Sequence, residues 1–303
     1  MIWRLCGVAV AVILTAAVGL VALTSMRGQG ASPTPAVFSP VPTAAAPRGP
    51  LPCADDDAFA AAAAANAVSL TSAEVVPFRR PETGWEIYAP LASREIGSGC
   101  PPEAPGFAAA LAAWQAGHRL PATGIMDEPT LDALARTWLA RRPFVAATAH
   151  GTCPPAPPPE TLAWVRPDEG YSGKPVQLRQ AALAAYRTMV AAARAESPAV
   201  AADHRLLTVF SGFRDPDADA ARCALGGCGG PERANCSAHR TGLALDLYLG
   251  NAPGFAPESS ADANRLYQAR SPAFAWMASN AARFGFANYP FEPWHWEWTG
   301  EAP

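Results

Sequence analysis

Proline decides where this chain can and cannot build an element. It has no backbone N–H and its ring clashes with the preceding helical turn, so a cluster of prolines stops helices and strands alike. The chain has 32 prolines in 303 residues, about twice ordinary usage, and many crowd into two stretches. Residues 28–52 are dominated by Pro, Ala, Ser and Thr, and residues 149–160 hold Pro154, Pro155, Pro157, Pro158 and Pro159. The sequence therefore divides into a membrane or signal segment over 1–27, an extended spacer over 28–52, a mostly helical module over 53–148, a joint over 149–160 and a domain over 161–303. Hydrophobic residues make up 50% of the chain and charged residues 16%, which excludes wholesale disorder. A formal net charge of −3 gives no basic face for nucleic acid.

Leu5 to Leu23 is an apolar run, with Thr15 its one polar residue, between Arg4 and Arg27. It is longer than the roughly 7–15 residues of a cleaved signal's apolar region and within the about 17–25 of a spanning helix. The reading is a membrane anchor through residues 5–23, or a secreted protein if the segment is cleaved. Either way the rest of the chain is exported to an extracytoplasmic face. Cys6 lies inside that run, leaving Cys53, Cys100, Cys153, Cys223, Cys228 and Cys236 outside it. Six cysteines suit disulfides in an oxidising compartment. The rival reading is a thiolate zinc cluster built from Cys223, Cys228 and Cys236. Three cysteines so close together cannot all pair locally, so at least one reaches another segment or stays free.

Asp55 to Asp57 open an Ala-rich helical stretch to about Leu70, with acids where a helix N-terminus favours them. Phe107, Leu111 and Trp114 recur at helical spacing, the stretch from Gly117 to Gly124 breaks the pattern, and Glu128-Pro129-Thr130 starts a second helix carrying Leu131, Leu134 and Trp138. Leu111-Ala112-Ala113-Trp114-Gln115, Gly124-Ile125-Met126-Asp127, Thr130 and Leu134 resemble the small helical peptidoglycan-binding domain. That resemblance implies contact with cell-wall glycan through residues 105–138; the plainer reading is a helical spacer. Further on, Val176 to Ala195 predicts an amphipathic helix with Leu178, Leu183, Tyr186 and Val190 on one side, and Leu206 to Phe210 a short strand.

The last third holds most of the unusual chemistry. Leu243, Leu245 and Leu247 alternate with Ala244, Asp246 and Tyr248, the period of a half-buried strand. The leucines face a core and Asp246 the opposite side, while Gly242 lets the chain bend so that His239 turns toward Asp246. Trp294, Trp296 and Trp298 occupy one face of another strand and leave His295 and Glu297 on the other. Two imidazoles and a carboxylate, His239, Asp246 and His295, leave a fourth position open, as a catalytic zinc requires. Glu292, set apart by Pro293, is placed to take a proton from water without being a ligand. His118, His150 and His204 read as ordinary surface or core histidines.

Ser237-x-His239-x-x-Gly242-x-Ala244-x-Asp246, then Glu292-x-Trp294-His295, with Ser211-Gly212-Phe213-Arg214 upstream, resemble the VanY-type D-alanyl-D-alanine carboxypeptidases, zinc peptidases of the hedgehog-like fold. The likeness runs from about Gln177 to Gly300 and includes Ala281 to Phe286 as the family's helix-to-strand approach. It implies an α+β domain with a small antiparallel sheet and flanking helices. It also implies one Zn2+ per chain on His239, Asp246 and His295, with Glu292 as general base. Arg214 would steady the developing oxyanion or hold a substrate carboxylate, and Ser237 and Trp294 would lie at the substrate. The implied substrates are peptidoglycan stem peptides. A dipeptidase or endopeptidase on the same fold and a non-catalytic wall-binding protein are the alternatives.

Overall fold

Local capping starts several helices of the structure, a computed structural model that describes Cys53, residues 57–226 and residues 236–303. After α1 (Ala60–Ser72), strands β1 (Glu74–Val75) and β2 (Glu82–Thr83) form a short antiparallel pair. Then come α2 (Ala89–Ile96), α3 (Pro105–Gly117), α4 (Glu128–Ala140) and α5 (Pro143–Ala147). Pro105 begins α3 where its missing N–H does no harm. The Asp127 carboxylate accepts the Thr130 N–H at 3.0 Å and caps α4. The break and both helix starts agree with the spacing of Phe107, Leu111 and Leu131.

Strand β3 (Leu162–Trp164) pairs antiparallel with β4 (Gln177–Arg179), and β4 runs straight into α6 (Gln180–Glu196). The helix expected from Val176 therefore begins later, because β3 takes up residues 177–179 as a ladder. Leu178 is buried either way, so hydrophobicity alone could not separate the two. After α7 (Pro198–Ala202), β5 spans Val209–Ser211 rather than Leu206–Phe210. The Leu206 N–H is bonded to the Asp203 carbonyl in a turn and Leu207 adopts a left-handed φ of 65°, which delays the strand.

The remaining elements are α8 (Pro216–Gly226), β6 (Ala244–Leu247), α9 (Asp262–Ala269), α10 (Pro272–Asn280), β7 (Phe286–Asn288) and β8 (His295–Trp298). The third and largest sheet has the order β5-β6-β8-β7, antiparallel throughout. The architecture is thus α+β, with small antiparallel sheets among helices. One hydrophobic core joins Trp85, Phe107, Leu134 and Trp138 of the helical part to Leu183, Met189, Leu245, Phe274 and Trp296 of the sheet part. The described residues belong to one compact unit.

Disulfides join Cys53 to Cys100 and Cys153 to Cys236, and Cys223 is also disulfide-bonded. Cys236 thus reaches the proline-rich joint, as the crowding of cysteines requires. The bonded sulfurs of Cys223 and Cys236 offer no thiolate to a metal, which removes the thiolate-cluster reading. Disulfides fit an oxidising, extracytoplasmic environment. Among the described residues no helix is long and apolar enough to cross a membrane. The apolar run 5–23, the spacer 28–52 and the first acids of the Ala-rich stretch lie outside the described residues.

Candidate metal centre

Strand register brings the first two candidate ligands together. Strand β6 lies between β5 and β8, so Asp246 stands opposite Ser211 on one side and opposite His295 on the other. Directly opposed residues of an antiparallel pair share a face, and Asp246 and His295, 49 residues apart in sequence, meet with Oδ1 to Nδ1 at 2.9 Å. Leu245, Leu247 and Trp296 alternate to the other face and enter the core.

His239 arrives from a short 3-10 helix, Ala238–Thr241. Ser237 caps that turn, its Oγ accepting the His239 N–H at 3.3 Å. Gly242 ends it at φ +70°, and a Cβ there would press on Arg179 and Leu162 side-chain atoms at 3.1 Å. The bend turns His239 Nε2 toward Asp246 Oδ2, at 3.1 Å, while Nδ1 meets the Gly212 carbonyl at 2.8 Å. Gly212 itself runs so close to β4 that an added Cβ would come within 2.5 Å of the Gln177 carbonyl. The two imidazole rings stand edge to face, 5.0 Å between centroids.

His239, Asp246 and His295 each offer a ligand atom within 4.8 Å of the others, and all three are buried. Such a group could hold a metal ion. Burial alone would raise the Asp246 carboxyl, yet the charge and hydrogen bond of His239 and the hydrogen bond of His295 outweigh it and hold it well below the carboxylate range. His295 responds in the opposite sense. Burial disfavours its charged form, but hydrogen bonds to Asp246 and Glu297 push it up to about 9.

Glu292 lies in the turn before β8, where its N–H donates to the Tyr289 carbonyl at 2.9 Å and its carbonyl accepts from the His295 N–H at 2.8 Å. Its side chain is half-buried. Burial raises the Glu292 carboxyl above the ordinary range and the Asp246 charge adds to this, against the lowering effect of His295, His239 and Arg142. Arg214 donates from Nη1 to Ser237 Oγ at 3.1 Å and from its backbone N–H to the His239 carbonyl at 3.1 Å. Asp219 accepts the Ser237 N–H at 3.1 Å. Arg214, Ser237 and His239 are thus tied into one segment. Trp294 is 3% exposed and sits in the core, in the turn ahead of β8 rather than within the strand.

Three neighbours of the centre were given no role by the sequence. The Gly212 carbonyl and Asp219 have no side-chain signature that announces them. Glu297 shares the His295 face by simple alternation, and that spacing is the signal that finds it. Its partner Arg142 stands 155 residues away, with no sequence cue at all. A cavity of about 570 Å3, lined by Trp138, Met277, Phe286 and Trp296 among others, includes none of the three ligand candidates. No protein-family model matches the chain, and no curated protein is significantly similar to it.

Proposed function

We propose that the chain is an exported zinc peptidase that hydrolyses D-Ala-D-Ala or a related peptide bond in peptidoglycan stem peptides. The observation that carries this reading is the convergence of His239, Asp246 and His295 beside Glu292, a carboxyl raised toward the range of a general base. Two imidazoles and one carboxylate are a donor set that suits zinc and leaves room for a further ligand. The His239 Nδ1 contact with a backbone carbonyl fits as well, because a ligating histidine usually fixes its second nitrogen this way. When bound, zinc supplies Lewis acidity, which makes water nucleophilic near neutral pH and polarises a carbonyl.

The chain's own groups do the proton work. The Glu292 carboxylate takes a proton from the attacking water as the C–O bond forms, then hands it to the amine as the C–N bond breaks. Arg214 offers a fixed cation to the developing oxyanion or to the substrate's terminal carboxylate, oriented by its bond to Ser237. Residues 105–138 hold wall glycan and raise the local concentration of stem peptides. Residues 5–23 keep the protein at the membrane face.

The experiment is Glu292→Gln in the full chain, with bound zinc and muropeptide products both measured. Zinc stays bound and hydrolysis falls by at least about 100-fold. Retained hydrolysis would remove Glu292 from the chemistry, and a wild-type protein that takes up no zinc would remove the reading altogether. Loss of a single alanine in the product masses identifies carboxypeptidase action, whereas released dipeptides or cleaved crosslinks identify the two related activities.

A further inference from the structure

Glu297 is 1% exposed and is surrounded by donors. Its Oε1 accepts from Arg142 Nε at 2.7 Å and Nη2 at 2.5 Å, and its Oε2 accepts the Phe144 N–H at 3.0 Å. The same Oε1 lies 3.4 Å from His295 Nε2. The other ring nitrogen of His295, Nδ1, faces Asp246. His295 therefore presents one nitrogen to the centre and the other to a carboxylate that is itself pinned by an arginine. Arg142 is also buried, and its guanidinium lies 4.1 Å from the centre of the Tyr289 ring. That ring meets His295 edge-on, with 6.2 Å between centroids.

The two histidines are thus held in different ways. His239 leans on a backbone carbonyl, which the sheet itself fixes. His295 leans on a charged side chain whose position is set from the helical part of the molecule, by Arg142 just ahead of α5 and by the first turn of α5. A plain structural ion pair between the two parts would satisfy Arg142 and Glu297 equally well without a ring nitrogen 3.4 Å away. We propose that Glu297 and Arg142 are positioning residues for His295: Glu297 accepts a hydrogen bond from Nε2–H, fixing the tautomer that leaves Nδ1 free for the metal, and Arg142 fixes Glu297. This rests on reading His239, Asp246 and His295 as a metal centre, and is independent of which bond is cut.

The test uses the full chain and zinc itself as probe, with affinity measured by chelator competition. Glu297→Gln keeps the shape of the side chain but loses the charge that holds the ring proton. It weakens zinc binding by about 10- to 100-fold. Arg142→Met weakens it in the same sense, and Arg142→Lys recovers part of the loss. A Glu297→Gln protein that is destabilised yet binds zinc as tightly as the wild type would overturn the proposal and leave a structural ion pair. The wild type supplies a second measurement that needs no variant. In the 15N spectrum of the zinc-loaded protein, His295 Nε2 carries the proton and Nδ1 the metal, and coordination through Nε2 would overturn the proposal outright. Failure of the metal reading is distinct: there the wild type binds no zinc, or His295→Ala binds it unchanged.

Discussion

At Glu169 the carboxylate accepts Arg187 Nε at 2.7 Å and Nη2 at 2.9 Å, and the Arg166 N–H at 2.7 Å. Burial would raise this carboxyl, but the hydrogen bonds from Arg187 and Arg166 and their charges outweigh it and bring it below the usual range. Glu292, raised by burial and by the Asp246 charge, moves the other way. Two glutamates in one protein thus take opposite directions, according to how far their neighbours favour the ionised form over the cost of burial. For Glu169 the sign of the linkage is fixed. A folded value below the unfolded one, about 4.3, means that ionised Glu169 stabilises the fold fully above that pH, and the contribution is lost as pH falls toward the lower folded value. Glu169→Gln is expected to flatten the acid side of the stability curve while lowering stability at neutral pH. Urea midpoints collected between about pH 2 and pH 7 measure this, and an unchanged acid slope would show that Glu169 has no part in it.

Among the elements, the short turn from Ser237 to Gly242 is the one on which the centre is most sensitive to backbone conformation. Gly242 sits at φ +70°, and an added methyl would crowd Arg179 and Leu162. Left-handed backbone costs an L-residue about 1–2 kcal/mol, so Gly242→Ala is expected to lower the unfolding free energy by at least about that much, read from urea denaturation. An alanine variant as stable as the wild type would mean that the turn relaxes freely. Much of this element-level logic was legible beforehand. Period-two alternation separated Leu245 and Leu247 from Asp246, and the tryptophans from His295 and Glu297; helical spacing found α3 and α4. Long-range pairing was not legible: nothing local says that Asp246 registers with His295, or that residues 177–179 join β3 instead of opening α6. Several of the residues that resemble a wall-binding module face inward. Gln115 takes the Gly124 N–H on its Oε1 at 2.8 Å and gives hydrogen bonds to the Ile125 carbonyl and Thr130 Oγ1, each at 2.9 Å. Leu111 and Leu134 are fully buried. These buried residues hold two helices and their turn together.

Across the whole molecule, one arginine ties the helical part to the loop that carries Glu292. Arg265 on α9 is fully buried. It donates from Nη1 to Glu82 Oε1 at 2.9 Å, from Nη2 to the Tyr88 hydroxyl at 2.6 Å and from Nε to the Phe291 carbonyl at 2.7 Å. Its guanidinium also lies 4.2 Å from the centre of the Phe291 ring. A second tie, Cys153–Cys236, fastens the proline-rich joint to the chain just ahead of Ser237. The two ties differ in what their loss leaves behind. Reduction of a disulfide frees the unfolded chain, whereas removing Arg265 strands the buried Glu82 carboxylate without its cation inside the fold. Breaking one side of a buried pair typically costs about 3–5 kcal/mol, while replacing both sides with apolar groups is often neutral. Arg265→Met is therefore expected to lower the unfolding free energy by about 3–5 kcal/mol, and Arg265→Met with Glu82→Leu to recover most of it. Because Arg265 holds the Phe291 carbonyl next to Glu292, the double variant should regain stability without regaining the wild-type setting of that loop. Urea denaturation of the single and double variants measures the recovery. A single variant costing less than about 1 kcal/mol would show instead that water or another cation reaches Glu82.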